Sequence, residues 1–357
     1  MAASPDYSQA PATGETDDDA ASWGDRFDAG GDADEGEASE GGEDLAFDAF
    51  EGGGERLDRF LAARLPGVSR SRIQHWIALG AVRCDERALQ AKTKLSGRER
   101  IHVHPLPREA DQAFEPDPVP LEVVHEDPWI LVIDKPAGLV VHPAAGNWRG
   151  TLLNGLLHRD PACASLPRAG IVHRLDKDTS GLMVVGRSEA ACMALVSQLA
   201  DRSMSRRYLA VVAGVPAQAG RIDRPIGRDP RLRTRMAVVE GPGGKPAVTH
   251  WRRLASGRLG SLPVSLVECR LETGRTHQIR VHLASLGHPL QGDTLYGGRG
   301  EGIGRQALHA WSLGLNHPSD GLARRWMRSP PDDFRALAQA AGLGPDEHFE
   351  ALRHDAN

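Results

Sequence analysis

The sequence predicts an α+β protein, with a catalytic-sized domain on a mixed, largely antiparallel sheet behind a small α+β domain. Three observations lead there. Strand-like apolar runs outnumber helical ones after residue 120, and many are hairpin neighbours rather than strands alternating with helices. Residues 55–105 hold two short amphipathic helices and a small β-ribbon, enough for a separate compact module. A dense polar cluster, His173 to Ser180, sits between the apolar pair Ile171-Val172 and the run Leu182 to Val185. Core therefore flanks the cluster on both sides, a common way of holding reactive groups on a loop.

Composition sets the limits. The chain has 357 residues, 40% hydrophobic and 25% charged, room for two or three globular domains. No apolar run approaches the ~20 residues of a membrane span, so no membrane partner is expected. The acidic start resembles neither a secretory signal nor a transit peptide. Cys84, Cys163, Cys192 and Cys269 are scattered without metal spacing, which predicts free buried thiols in a cytoplasmic protein. The net charge of -5 hides a division. Residues 1–50 carry 15 acidic residues against one basic, Arg26, whereas the rest carries 33 acidic and 42 basic. A basic body suits a polyanionic partner.

The elements follow in order. Residues 1–54 are rich in Gly, Ala, Asp and Glu without a sustained period, and are expected to be a disordered acidic tail. Leu57, Phe60, Leu61 and Leu65 then mark one helix face, ended by Pro66-Gly67. Ser69 is the expected N-cap of a second helix through Ile73, Trp76 and Ile77, closed by Gly80. Strands are expected over 81–87 and 100–104. Basic side chains stud this module, among them Arg70, Arg72, Arg83, Lys92 and Lys94. Residues 106–120 read as a proline-rich linker. The second domain spans 121–345, with strands at 121–124, 129–133, 208–212, 235–239, 247–251 and 264–271. Helices are expected at 151–158, 189–199, 278–286 and, last, 331–343. Residues 346–357 are left as a C-terminal tail.

Four blocks carry the chemistry: Asp134-Lys-Pro-Ala-Gly-Leu-Val-Val-His-Pro143; Gly170-Ile-Val-His-Arg-Leu-Asp-Lys-Asp-Thr-Ser-Gly181; Arg206-Arg-Tyr-Leu-Ala-Val-Val212; and Glu272-Thr-Gly-Arg-Thr-His-Gln-Ile-Arg-Val-His-Leu283, followed by Gly287-His-Pro-Leu-Gln-Gly-Asp293. Together they resemble the RNA pseudouridine synthases, and residues 55–105 resemble an S4-type RNA-binding domain. The blocks at 146–147, 167–174, 244–250 and 305–310 are most similar to the D-type branch, which acts on 23S ribosomal RNA.

The resemblance implies a uridine-to-pseudouridine isomerase with no cofactor and no metal. It implies that Asp176 is the catalytic carboxylate, acting as a nucleophile at C1′ or a base at C2′. Arg280 would pair with it, Tyr208 would stack on the flipped uracil, and Arg174 would fill the gap left by the base. If Arg174 and Asp176 lie on a strand, both side chains share a face. Arg70, Arg72, Arg83, Lys92 and Lys94 would meet RNA. The expected partner is large-subunit ribosomal RNA or a pre-ribosomal particle, and a monomer is expected.

Two other readings fit part of the sequence. Asp176-Lys-Asp178-Thr179 fits part of the D-x-D-x-T loop of haloacid-dehalogenase-type phosphatases, although His173-Arg174 interrupts the apolar strand that loop requires. A non-catalytic ribosome-assembly factor would use the same basic body. His277 and His282 flank Arg280 five apart, which is not the i, i+4 spacing of a helical metal pair.

Overall fold

The computed structural model describes residues 44–84, 87–106, 113–144, 146–232 and 234–355. The sequence-predicted tail at 1–43 lies outside them.

The N-terminal module begins earlier than expected. Strand β1 (Leu45–Asp48) pairs antiparallel with β4 (Arg100–Val103), with Leu45 opposite Val103. β4 in turn pairs with β2 (Val82–Cys84), and β2 with β3 (Arg87–Ala88). Ala49 is fully buried, and Leu45 and Phe47 pack on the module core, while Phe50 stays exposed. The expected disordered tail therefore does not reach residue 54. The short apolar alternation becomes a strand because a partner 55 residues downstream supplies its ladder.

Helices α1 (Leu57–Arg64) and α2 (Arg70–Ala78) close over this sheet, burying Leu57, Phe60, Leu61, Ile73, Trp76 and Ile77. Ser69 caps α2 by accepting the Arg72 amide. Asp58 is fully buried at the α1–α2 contact, where it accepts from Arg56, Arg70 and Gln74. Burial pushes its carboxyl up, but those three donors outweigh it and hold the group well below the usual carboxylate range.

The expected linker is only partly one. Asn154 donates its amide to the carbonyls of Ala113 and Glu115, and Asp117 accepts from Arg149 and the Gly150 amide. Residues 113–117 are thus tied to the second domain, with Ala113 buried.

The second domain is built on a nine-stranded sheet. Its path runs β5 (Glu122–Glu126), β6 (Ile130–Lys135), β7 (Ser180–Gly186), β14 (Leu308–Asn316), β8 (Ser205–Ala213), β13 (Leu262–Leu271), β12 (Val248–Leu259) and β9 (Ala219–Asp223), with β15 (Ala323–Met327) also on β14. All its pairs are antiparallel except β7–β14, which fits the mixed, largely antiparallel expectation. A separate ribbon joins β10 (Ile226–Arg228) and β11 (Met236–Val238).

Each face of the sheet has its own core. One gathers Ile133, Met183, Tyr208, Val267 and Cys269 under α3 (Leu152–Arg159) and α5 (Gln278–Ser285). The other gathers Leu209, Val211, Leu266 and Trp311 under α6 (Asp332–Ala340) and α7 (Pro345–Asp355). α4 (Glu189–Ala200) packs beside β7 and β14. The expected C-terminal tail is in fact α7. Phe349 meets Trp311 edge-on at 5.8 Å and Leu352 is buried, and burying such side chains contributes ~1.5–3 kcal/mol each. All four cysteines are free and buried.

Candidate active site

The polar cluster between Val172 and Ser180 is a loop that leads into a strand. Ile171 makes one bridge to Val185, and β7 begins only at Ser180. The shared face expected for Arg174 and Asp176 therefore does not arise from strand geometry. What holds the loop is a series of contacts from distant segments. His173 Nε2 accepts the Val184 amide at 3.1 Å. The Lys177 carbonyl accepts from Lys135 Nζ at 2.8 Å and from the Gly138 amide at 2.9 Å. The Asp178 carbonyl accepts from Arg305 at 3.0 Å, and the Ser180 hydroxyl meets His309 Nδ1 at 3.0 Å. Gly181 follows with φ +116°, and a Cβ there would lie 2.3 Å from the Ala310 carbonyl oxygen. Only glycine lets β7 approach β14 this closely at the loop exit.

Lys135 forms the floor of the loop. It is fully buried, and its ammonium donates to the carbonyls of Pro136, Leu139 and Lys177. Burial pulls its pKa down to about 7, against the opposing pull of Asp176 and Asp178. The Asp-Lys-Pro-Ala-Gly block is thereby pinned to the residue following Asp176.

Asp176 meets Arg280, as the resemblance implied, with Nη1 3.0 Å from Oδ2. Arg280 is not a solvent-facing helix arginine. It is buried, and its other edge donates through Nε and Nη2 to both oxygens of Asp293, at 2.7 and 2.9 Å. Asp293 is also buried. No helical or strand spacing links residues 280 and 293, so the pairing is purely tertiary. Burial pushes the Asp176 carboxyl up, but His277 and Arg280 outweigh it, leaving Asp176 below the usual carboxylate range. The Arg280 guanidinium is pushed up in turn by its two carboxylates despite its burial.

His277, like Asp293, is a residue the sequence left without a role. It sits in the left-handed region, φ +55°, immediately before α5. Its Nδ1 is 2.8 Å from the Tyr296 hydroxyl, which accepts the Met236 amide, and its Nε2 faces Asp176 Oδ1 at 4.0 Å. The Tyr296 ring also lies 5.0 Å from the Arg280 guanidinium. Strained backbone at such a position is stored where the surrounding structure over-determines it.

Tyr208 lies on β8, 5% exposed, on the same face as Cys269 and close enough that Asp176 helps burial raise its phenol pKa. Arg174 is exposed and makes no hydrogen bond or ion pair among the described residues. Nearby His142 has its Nε2 buried without a hydrogen-bond partner, and burial, with Arg168 and Arg174 beside it, lowers its pKa to about 4.

The five basic residues singled out in the module behave differently from one another. Arg70 forks onto Asp58, Arg72 donates to the Leu106 carbonyl, and Arg83 reaches the Gly80 carbonyl. Lys92 and Lys94 are exposed. Among the described residues one trio converges at metal-ligand distance, His125, Asp127 and His317, brought together from segments too far apart to be read in sequence. Both imidazole Nε2 atoms are 2.8 Å from Asp127 Oδ2, while Oδ1 accepts the Trp129 and Ile130 amides. These bonds tie the end of β14 to the β5–β6 turn.

The phosphatase alternative fails here. Its fold needs a parallel sheet around the D-x-D loop, and β7–β14 is the sole parallel pair among the described strands.

Residues 129–285 match the family model described as RNA pseudouridylate synthase, and residues 55–101 match the S4 domain. The chain is 50% identical to the ribosomal large subunit pseudouridine synthase D of Nitrosomonas europaea, covering 80% of this chain and 84% of that one. It is 49% identical to the protein of the same name in Neisseria meningitidis, covering 81% and 79%. Among solved structures, human RNA pseudouridylate synthase domain containing 1 is similar at 29% identity and a TM-score of 0.51, covering 66% of this chain and 96% of its own. With relatives this similar over most of its length, the chain belongs to the RNA pseudouridylate synthase family.

Proposed function

We propose that this protein isomerises uridines to pseudouridine in large-subunit (23S) ribosomal RNA, as free RNA or within a pre-ribosomal particle, with Asp176 as the reacting carboxylate. The observation that carries this reading is the chain Asp176–Arg280–Asp293, an enclosed carboxylate held ionised by a guanidinium that is itself fixed on its far side.

The reaction breaks the N1–C1′ bond, turns the uracil and joins C5 to C1′; the C5 proton leaves to water and N1 takes one up. An ionised carboxylate serves either route, by attacking C1′ or by removing the C2′ proton. Arg280 keeps Asp176 charged and aimed without moving during the reaction. The Tyr208 ring supplies a flat apolar wall for the detached uracil, where stacking contributes ~1–3 kcal/mol. Exposed Arg174, two residues from Asp176, is suited to replace the extruded base and offset a flipping cost of a few kcal/mol. The basic residues of the S4 domain, Lys92 and Lys94 above all, anchor the RNA.

Tritium release from RNA labelled at uracil C5 tests the proposal. Asp176→Asn should abolish release while the RNA dissociation constant stays within about threefold, because phosphate contacts elsewhere dominate affinity. Residual turnover above about a tenth of the parent would remove Asp176 from its role.

A further inference from the structure

Strand register places a row of basic side chains on the face of the sheet turned away from Asp176. Arg207 on β8 is opposite Arg270 on β13, Arg270 is opposite His250 on β12, and His250 is opposite Arg221 on β9. Their neighbours Tyr208, Cys269 and Trp251 point to the catalytic side, because successive side chains alternate across a sheet. Four adjacent strands at ~4.8 Å spacing make the row roughly 15 Å long. Helices α6 and α7 cover this same face only as far as Leu209 and Leu266, where the second core ends.

Two acids of the row lie beneath the cations, while Asp223, 54% exposed, pairs with Arg221 at the surface. Glu268 has 8% of its side chain exposed and takes one contact each from Arg207 and Arg252. Glu272, 23% exposed, takes His250 and Arg202. Above them, the side chains of Arg252, Arg221 and Arg202 are 48 to 50% exposed. Arg270 is exposed and makes no hydrogen bond or ion pair among the described residues. The surface offered to solvent is therefore a set of guanidinium forks with unused N–H donors. Arg207, Arg252, Arg270 and His250 border a groove of about 340 Å³.

We propose that this row is a second RNA-binding surface, taking backbone phosphates of the substrate RNA outside the segment that enters the active site. The inference rests on the RNA-modifying reading above and deepens it by naming where the rest of the RNA runs. Guanidinium forks fit phosphate oxygens in pairs, and forks already oriented from below by buried carboxylates lose less freedom on binding. The ordinary fate of such a face is a solvated lattice of ion pairs. The depth of Glu268 and Glu272 below their guanidinium partners, together with the unpaired Arg270, favours a polyanion.

The test uses the full chain carrying Arg221→Gln and Arg270→Gln together, since neither side chain touches buried Glu268. Two RNAs are compared: a short ribosomal RNA segment around a modified uridine, and a long ribosomal RNA fragment that contains the same segment with its flanking helices. The expected result is a three- to tenfold weaker dissociation constant for the long RNA, with a salt slope shallower by about 1–2, at ~0.7–0.9 per lost phosphate contact. Turnover on the short segment should be unchanged, and its loss there would overturn a role confined to distant phosphates. Equal affinity of parent and variant for the long RNA overturns the proposal. So does equal weakening for both RNAs. Tighter RNA binding by the variant would also overturn it, assigning the row to the acidic N-terminal segment.

Discussion

The arginines of the active site and those of the S4 domain are the same chemical group in opposite settings. Arg280 is buried between two carboxylates, with its side chain 8% exposed. Arg70 also forks onto a buried carboxylate, Asp58, yet its own side chain is 42% exposed. Coulomb attraction at a few ångströms is several-fold stronger in a partly dry setting than in water, and salt screens it less. The enclosed arginine can therefore set the charge state of its partner, whereas the exposed ones can only attract and orient a polyanion. On the function proposed above, chemistry is placed where charge is dry and recognition where it is wet.

Breaking the dry end should have the largest effect. Arg280→Gln is expected to lower kcat about 10²- to 10³-fold, the usual loss when one preorganised charge contact is removed. It should also change the pH profile. Asp176 is held below the usual carboxylate range, so parent activity persists as pH falls and is lost only through that lowered pKa. Without Arg280 the carboxyl rises, with His277 still opposing burial, and the acid limb moves to higher pH. A pH–rate series on both proteins reads the shift, and an unmoved limb would break the electrostatic account.

An intermediate effect is expected at the floor of the loop. Lys135→Met keeps the length and apolar stem but leaves three buried carbonyls short of a donor. Stability should fall by about 2–4 kcal/mol in urea titration. kcat should fall while KM holds, because the loop that carries Asp176 loosens.

The wet end should respond least. Lys92→Gln with Lys94→Gln should weaken RNA binding only about two- to fivefold at low salt, and the difference should vanish near ~0.5 M, where screening acts over a few ångströms. Filter binding at two salt concentrations checks it. A loss of kcat on bound RNA would contradict the division between the two regions.

This contrast also explains what could be read from the sequence. Helices α1 and α2 were legible because Leu57, Phe60 and Leu61 repeat at helical spacing and Ser69 and Gly80 mark the ends, all local signals. β1 was not, since Leu45 to Asp48 gains its ladder from Val103, far along the chain. α7 was missed because its apolar face is narrow and is decided by Trp311 and the second core. In the site, Asp176 and Arg280 were legible through motif resemblance, but Asp293 and His277 were not given roles. Their importance lies in meeting Arg280 and Asp176 in space, and no periodicity encodes that. The loop at 173–179 was legible from its apolar flanks, whereas its shape is imposed by Lys135, Arg305 and His309.

The contacts that complete the site have a kinetic corollary. Arg280 reaches Asp176 across 104 residues of chain, and His309 reaches Ser180 across 129. Loop-closure entropy delays such pairings until much of the intervening structure exists. β7 cannot dock beside β14 before the strands between them in sequence have been made and threaded into place. During synthesis, a nascent chain that has emerged only through residue 300 already carries Asp176, Tyr208 and Arg280 but lacks the strand that seats the loop. Competence to modify RNA should therefore appear late and abruptly, after the S4 domain is already able to hold its ligand.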